Sequence, residues 1–313
     1  MNRHILLATD GSSFAKKALD YVATVFEDHK DLEITVFCLA PPAPSYLSTP
    51  NPAIDEITRL ERLERIEAEN LRWAQKVVEE AIEFLKEAGF AEEKLHPKVQ
   101  LKRGDLAHAI LREARLGRYD AIAVGRRGFG RLASAWMGSV SHKLVEYAQG
   151  VPVWVIDGRE WNKRFLVAVD LGEPGLKVID HVSFILSGHP EAEIVLFHVI
   201  PSLSGLWSRT KEKDLAQLEE LLIEHKEKEA LEFFRKAEKI FGEEAFRSGQ
   251  IRVKVKASAF GPAGSIIKEA REGHYGTVVV GRRGLGGFKE LLLGSVSSKV
   301  VFSLNEQAIW VVG

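Results

Sequence analysis

The sequence predicts an α/β protein of two tandem domains, each a doubly wound sheet of five parallel strands. Three observations predict it. The stretch VGRRGFGRLASAWMGSVSHKL, Val124–Leu144, returns 156 residues later as VGRRGLGGFKELLLGSVSSKV, Val280–Val300, with eleven of twenty-one residues the same. The strand-like openings RHILLATDGS and RFLVAVDLGEPG set Asp170 160 residues after Asp10, and LEITVFCLAPP and AEIVLFHVIPS repeat at the same offset. Between these anchors short apolar runs alternate with helical patterns, and parallel strands need such helical crossovers. Agreement of separate anchors marks an internal duplication.

The elements follow in order. Each half opens on a short β-rich run that ends in a turn, then a helix (Ser13 to Glu27; Gly175 to Leu186), then a second buried strand. A Pro-rich loop, APPAPSYLSTPNPA, or the shorter PSLSGLWS leads into a long charged helix, roughly Ile54 to Ala88 and Lys213 to Phe241. Leu60, Leu63, Leu71, Ala74, Val77, Val78, Ala81, Phe84 and Leu85 trace an apolar face on the first of these, expected to cover a sheet. Gly89 and Gly242 stand where a helix would stop. Third strands lie in HPKVQLKRGD and IRVKVKASAFG, followed by helical LAHAILREARLGRYD and PAGSIIKEAREGHYG. AIAVG and TVVVG are wholly apolar fourth strands, as in a sheet covered on both faces. The glycine stretch, a helix (Val140 to Ala148; Val296 to Leu304) and a last strand, VPVWVID or QAIWVVG, complete each half. The expected domains are 1–158 and 159–313, with a short linker near Asp157–Lys163.

Bulk composition narrows the function classes. A chain of 313 residues suits two domains of about 150. A formal charge of −1 argues against a general nucleic-acid binder, which would carry a basic surplus. The lone cysteine, Cys38, forms no internal disulfide, sits in an apolar run as a small core residue, and suits a reducing, cytoplasmic setting. No apolar stretch reaches the length of a membrane span, and MNRHILLATDGSSFAKK lacks the core of a signal peptide.

The glycine stretch carries the functional expectation. In a doubly wound sheet, ligands bind beyond the carboxyl ends of the strands, where the connections diverge. Gly125 and Gly281 stand just past strand four, followed by Gly128 and Gly284, then by Gly138-Ser139 and Gly294-Ser295. Glycines let backbone approach a ligand, and the N–H groups and dipole of the helix that follows suit a phosphate. A Walker A loop is absent from both copies. GFGRLA fits G-x-G-x-x-A, but it follows the wrong strand and GLGGFK does not repeat it.

The G-x2-G-x9-G-S spacing at this strand end, in both copies, resembles the universal stress protein family, and the resemblance spans essentially the whole chain. It implies two Rossmann-like domains of the adenine nucleotide alpha hydrolase type. It also implies a nucleotide site in each, filled by ATP, ADP or AMP, with Mg²⁺ able to bridge the phosphates. By position, Asp10 and Asp170 would contact the adenosine part, Ala8 and Ala168 would line the adenine pocket, and the main chain at Leu39 and Val199 would meet the base edge. Gly125, Gly128, Gly138, Ser139 and Val140, with Gly281, Gly284, Gly294, Ser295 and Val296, would surround the phosphates. Arg126, Arg127, Arg282 and Arg283 are further candidates, of which at most one per site is expected to touch phosphate. Where family members often carry a His after strand two, His198 keeps the pattern and Cys38 departs from it. The resemblance further implies pairing of the two halves through their last strands, and leaves a homodimer of chains open.

Blander readings stand beside these. Either Asp alone reads as a helix cap or turn former, and the arginines as solvated surface. Trp154 and Trp310, in alternating last strands, read as packing residues, and the histidines show no metal-binding spacing. No catalytic constellation is evident, so an ATP-binding regulatory protein of the stress response is expected. A weak Mg²⁺-dependent ATPase or autophosphorylating enzyme is the alternative, and a nucleotide-free interaction module the third.

Overall fold

Chain order in the computed structural model is β1 (Arg3–Thr9), α1 (Ser13–Phe26), β2 (Leu32–Ala40), a single turn α2 (Ser45–Ser48), α3 (Glu56–Glu87), β3 (Leu95–Leu101), α4 (Leu106–Leu116), β4 (Ala121–Gly125), α5 (Ser139–Tyr147) and β5 (Val153–Ile156). The pattern repeats as β6 (Arg164–Ala168), α6 (Glu173–Leu186), β7 (Glu193–Pro201), α7 (Lys213–Gly242), β8 (Ile251–Ser258), α8 (Gly261–Glu272), β9 (Thr277–Gly281), α9 (Ser295–Ser303) and β10 (Ala308–Val312). The structure describes residues 3–29, 32–49, 55–128, 137–202, 213–242, 246–258, 260–282 and 293–313. The chain divides into two compact units, Met1–Leu144 and Val145–Gly313, so β5 falls in the second.

In the first unit the strands run β3-β2-β1-β4, all parallel. In the second they run β5-β10-β9-β6-β7-β8, parallel except for the antiparallel β5–β10 pair. The order reverses direction at β1 in one unit and at β6 in the other. Each therefore has a switch point, between β1 and β4 and between β6 and β9, where a crevice opens beyond the strand ends. β4 is buried at every position, as its unbroken apolar run requires when helices cover both faces.

Helix starts follow local chemistry. Ser12 caps α1 by accepting a hydrogen bond from the Ala15 N–H at 3.2 Å, and Asp55 caps α3 through the Thr58 N–H at 3.0 Å. Ala15, Ala18, Leu19, Val22 and Phe26 then bury one face of α1. On α3 the expected apolar face is only half used. Ala74, Val78, Ala81 and Leu85 are buried, while Leu60, Leu71 and Phe84 are exposed. At Leu60 the reason is length: 32 residues of helix span about 48 Å, whereas the strands it covers, at most 9 residues long, span about 30 Å. The first turns of α3 meet α2 instead: Arg59 is buried there, and its guanidinium donates to the Leu47 carbonyl at 2.6 Å.

Cys38 is buried on β2, and burial pushes its thiol up to about 12, with the Asp10 charge adding to the shift. That suits an inert core residue. Trp154 and Trp310 are fully buried, in packing positions. Among the described residues, no helix is long and apolar enough to cross a membrane.

Candidate nucleotide site

The first switch point is built by three tight fits. At Gly125, the last residue of β4, a Cβ would lie 2.3 Å from the Phe14 carbonyl oxygen, so only glycine lets the start of α1 come this close. At Gly128 a Cβ would lie 2.4 Å from Asp10 Oδ2, so the glycine lets the Asp10 carboxylate lie against the loop. At Gly138 it would meet the Arg126 carbonyl and Arg127 Cα, both at 3.2 Å. Gly11, between Asp10 and the Ser12 cap, holds φ +75°, the left-handed conformation glycine tolerates best.

The loop is closed by two hydrogen bonds. The Gly138 N–H donates to the Arg126 carbonyl at 2.9 Å, and Ser141 Oγ donates to the Gly125 carbonyl at 2.8 Å. The second unit repeats both: the Gly294 N–H donates to the Arg282 carbonyl at 2.9 Å, and Ser297 Oγ to the Gly281 carbonyl at 2.5 Å. Each loop therefore leaves a strand end and returns to it, with a helix starting at the return. Gly294 stands at the N-cap of α9 and offers no side chain, so among the described residues no side-chain cap satisfies the amides of its first turn. Ser141 and Ser297 were not anticipated as loop-closing residues. The signal was present, since GSVS stands unchanged in both copies.

The two aspartates are not helix caps. Asp10 Oδ1 accepts from the Ser12 N–H at 3.0 Å in a turn, while Ser12 caps α1. In the second unit Gly172 occupies the cap position of α6, two residues past Asp170. Asp170 Oδ2 is buried and accepts no hydrogen bond from the described residues. A buried carboxylate oxygen without a donor is costly, and it marks a place where a ligand hydroxyl would be stabilised. Beside it, His198 Nδ1 hydrogen-bonds with the Val169 carbonyl at 2.9 Å. Burial lowers the His198 pKa, partly opposed by that hydrogen bond and by the Asp170 charge.

The remaining expected residues fall as follows. Ala8 and Ala168 lie near the ends of β1 and β6. The register of β1 on β2 ends at Cys38, and that of β6 on β7 at Phe197. Leu39 and Val199 thus lie beyond the last residue paired to those strands. Ser139 and Val140 open α5, and Ser295 and Val296 open α9. Arg283 and Gly284 lie outside the described residues.

The arginines do not all face the loop. Arg126 is 1% exposed. Arg282 is buried too, and its guanidinium donates to the main-chain carbonyls of Glu146 and Ala148. Five donors in a rigid fork suit this task, closing carbonyls at the end of α5. Arg127 is half-buried, its guanidinium 5.4 Å from the centre of the Phe14 ring. A cleft of about 520 Å³ lies between α1 and α3, lined by Thr9, Gly11, Lys16, Trp73 and Phe84 among others, but by no described residue of the glycine loop. The convergent glycine and aspartate geometry, not this cleft, identifies the candidate site.

Fold and site together define a tandem α/β protein with a glycine loop at the switch point of each sheet. A family model for the universal stress protein family matches residues 1–157 and again 162–305. The chain belongs to that family. It is 27% identical over 311 residues to a universal stress protein of Mycolicibacterium smegmatis, covering 96% of this chain and 93% of the relative. It is 32% identical over 148 residues to a universal stress protein of Thermus aquaticus, covering 47% of this chain and 94% of that one. Among solved structures, a universal stress protein from Archaeoglobus fulgidus aligns over 99% of this chain and 97% of its own, with a TM-score of 0.63 and 21% identity. At that identity the likeness speaks for the fold.

Proposed function

We propose that each half of the chain holds one adenine nucleotide, ATP or its ADP or AMP counterpart, and that nucleotide state sets conformation or partner choice. The buried Oδ2 of Asp170 carries this reading, because it needs a donor that the described protein groups do not supply. A ribose hydroxyl is such a donor. The closed glycine loop and the uncapped start of α9 support the phosphate end of the same ligand. Asp10 beside Gly128 supports the equivalent assignment in the first half.

On this reading Asp10 and Asp170 hold the adenosine part, the main chain at Leu39 and Val199 meets the base edge, and the glycine loops surround the phosphates. Mg²⁺ from solution would accompany a triphosphate. A cytoplasmic setting, where nucleotide is abundant and the single thiol stays reduced, suits this role. Pairing of the halves through their last strands, and of chains into a homodimer, belongs to the same proposal.

The test is to denature purified protein, quantify the released nucleotide by chromatography, and titrate stripped protein with ATP. Near two nucleotides per chain is expected. One per chain would restrict the proposal to one half. None, with no heat of binding, would leave an α/β interaction module. Turnover with Mg²⁺ that is lost when Gly138 and Gly294 are replaced by Ala would favour the weak ATPase over the regulatory reading.

A further inference from the structure

At the end of the first sheet opposite the glycine loop, three adjacent strands bring two imidazoles and a carboxylate together. His4 on β1 is paired in register with Glu33 on β2, and His96 on β3 with Thr35, two residues along from Glu33. Residues opposite each other in a parallel pair, and residues two apart on one strand, share a face. One ligating atom from each of His4, Glu33 and His96 lies within 4.8 Å of the other two. All three side chains are half-buried. The His4 and His96 ring centres are 5.5 Å apart, and His96 Nε2 lies 3.5 Å from Glu33 Oε2. Lys94 Nζ takes the other carboxylate oxygen, Oε1, at 3.1 Å, and so leaves Oε2 to the imidazoles. His4 Nε2 hydrogen-bonds with Thr35 Oγ1 at 2.8 Å.

The second half of the chain shows what this position holds when it is only an ion-pair cluster. The register-equivalent residues are Arg164, Glu193 and Arg252. Arg164 Nε lies 3.4 Å from Glu193 Oε2, a carboxylate held by a fixed cation. A guanidinium has no lone pair to offer a metal, whereas a neutral imidazole has one. The first half thus keeps the glutamate and replaces both cations with potential metal ligands.

We propose that His4, Glu33 and His96 form a binding site for Zn²⁺. Two His and one carboxylate supply three of the four ligands of a tetrahedral zinc site and leave the fourth position to water. Ligands at about 2.1 Å from zinc stand about 3.4 Å from one another, so closure draws the three groups together by about an ångström. His96, 43% exposed, has room to make that adjustment. A bound ion would cross-link β1, β2 and β3 at their N-terminal ends, and would stabilise the first unit by an amount that grows with the logarithm of free zinc above its dissociation constant. The site lies at the strand ends opposite those proposed to hold nucleotide.

The experiment uses the full chain stripped with a chelator. Zn²⁺ alone is titrated by calorimetry and by competition with a chromophoric chelator, and melting is recorded with and without the metal. His4→Arg and His96→Arg, together and singly, import the residues that the second half already tolerates, so loss of folding is not expected. The wild type should bind one more equivalent than the double variant, at least about tenfold more tightly than either single variant, and zinc should raise the melting temperature of the wild type alone. Glu33→Gln, which keeps the side-chain shape, should weaken binding as well and covers the case in which the arginine variants fold poorly. Equal zinc stoichiometry in the wild type, the double variant and Glu33→Gln would overturn the proposal, as would absence of saturable binding by the wild type.

Discussion

The indole rings of Trp154 and Trp310 lie face to face, their centres 4.2 Å apart and their planes 8° from parallel. They are direct partners in the antiparallel β5–β10 pair, and neither is exposed to solvent. The imidazole of His181, from α6, sits against both at 6.2 and 5.9 Å, and Trp154 Nε1 donates to His181 Nε2 at 3.4 Å. Offset aromatic stacking adds to what area burial contributes. Trp310→Ala should therefore cost about 3–5 kcal/mol in urea unfolding. A loss below about 1 kcal/mol would mean the surroundings collapse into the space, and that the stack is not central to this core.

His181 makes the same cluster sensitive to acid. Burial alone pushes its pKa down to about 3. In the unfolded chain the imidazole returns to about 6.5. Between those values the unfolded state binds a proton that the folded state refuses. Stability is therefore full above pH 6.5 and falls on acidification, by at most about 1.4 kcal/mol per pH unit from this group. Urea midpoints from pH 7.5 to 4.5 should fall less steeply for His181→Phe than for the wild type. His4 and His198, also lowered, keep part of the slope in both. Parallel profiles would assign the acid sensitivity to those groups instead.

Glu269, on α8, is a nearly buried carboxylate that receives Lys254 Nζ at 2.8 and 2.7 Å and the Tyr275 hydroxyl at 3.2 Å. Burial, reinforced by the Glu269 charge, pushes the Tyr275 phenol up to about 12. Glu113 repeats the arrangement with Lys98 at 2.6 Å and Tyr119 at 3.3 Å. Glu269→Ala strands the buried hydroxyl and should cost about 1–3 kcal/mol. Glu269→Gln keeps an acceptor for Tyr275 and should cost less. Chemical denaturation of the two variants would refute this account if the glutamine were the more damaging.

Gly125 and Gly128 should separate folding from binding. A methyl at Gly125 meets the backbone carbonyl of Phe14, which cannot turn aside, so Gly125→Ala should destabilise by about 1–3 kcal/mol. A methyl at Gly128 meets only the tip of Asp10, which can rotate away. Gly128→Ala should melt within a few degrees of the wild type, yet lose about tenfold in nucleotide affinity at the first site, equivalent to about 1.4 kcal/mol. Calorimetric titration alongside thermal melting checks both. An unchanged affinity would argue that Asp10 does not touch the ligand.

Much of this was legible in residue order. The duplication, the strand and helix sequence, and the glycine loops at the ends of β4 and β9 all follow from local patterns. A glycine run reports its own backbone needs, and the AIAVG run its own burial. Arg282 shows where that legibility stops. Beside Gly281 it reads as a phosphate partner, but its reach to the carbonyls of Glu146 and Ala148 depends on where α5 ends in space. The exposure of Leu60 near the start of α3 needed the lengths of β2 and β3 laid beside the helix. His4, Glu33 and His96 are 29 and 63 residues apart, with no spacing that announces a shared site. Strand register makes them neighbours, because pairing between strands sets which distant side chains share a face. Periodicity and backbone conformation are written residue by residue, whereas proximity between remote side chains exists only once the chain has folded.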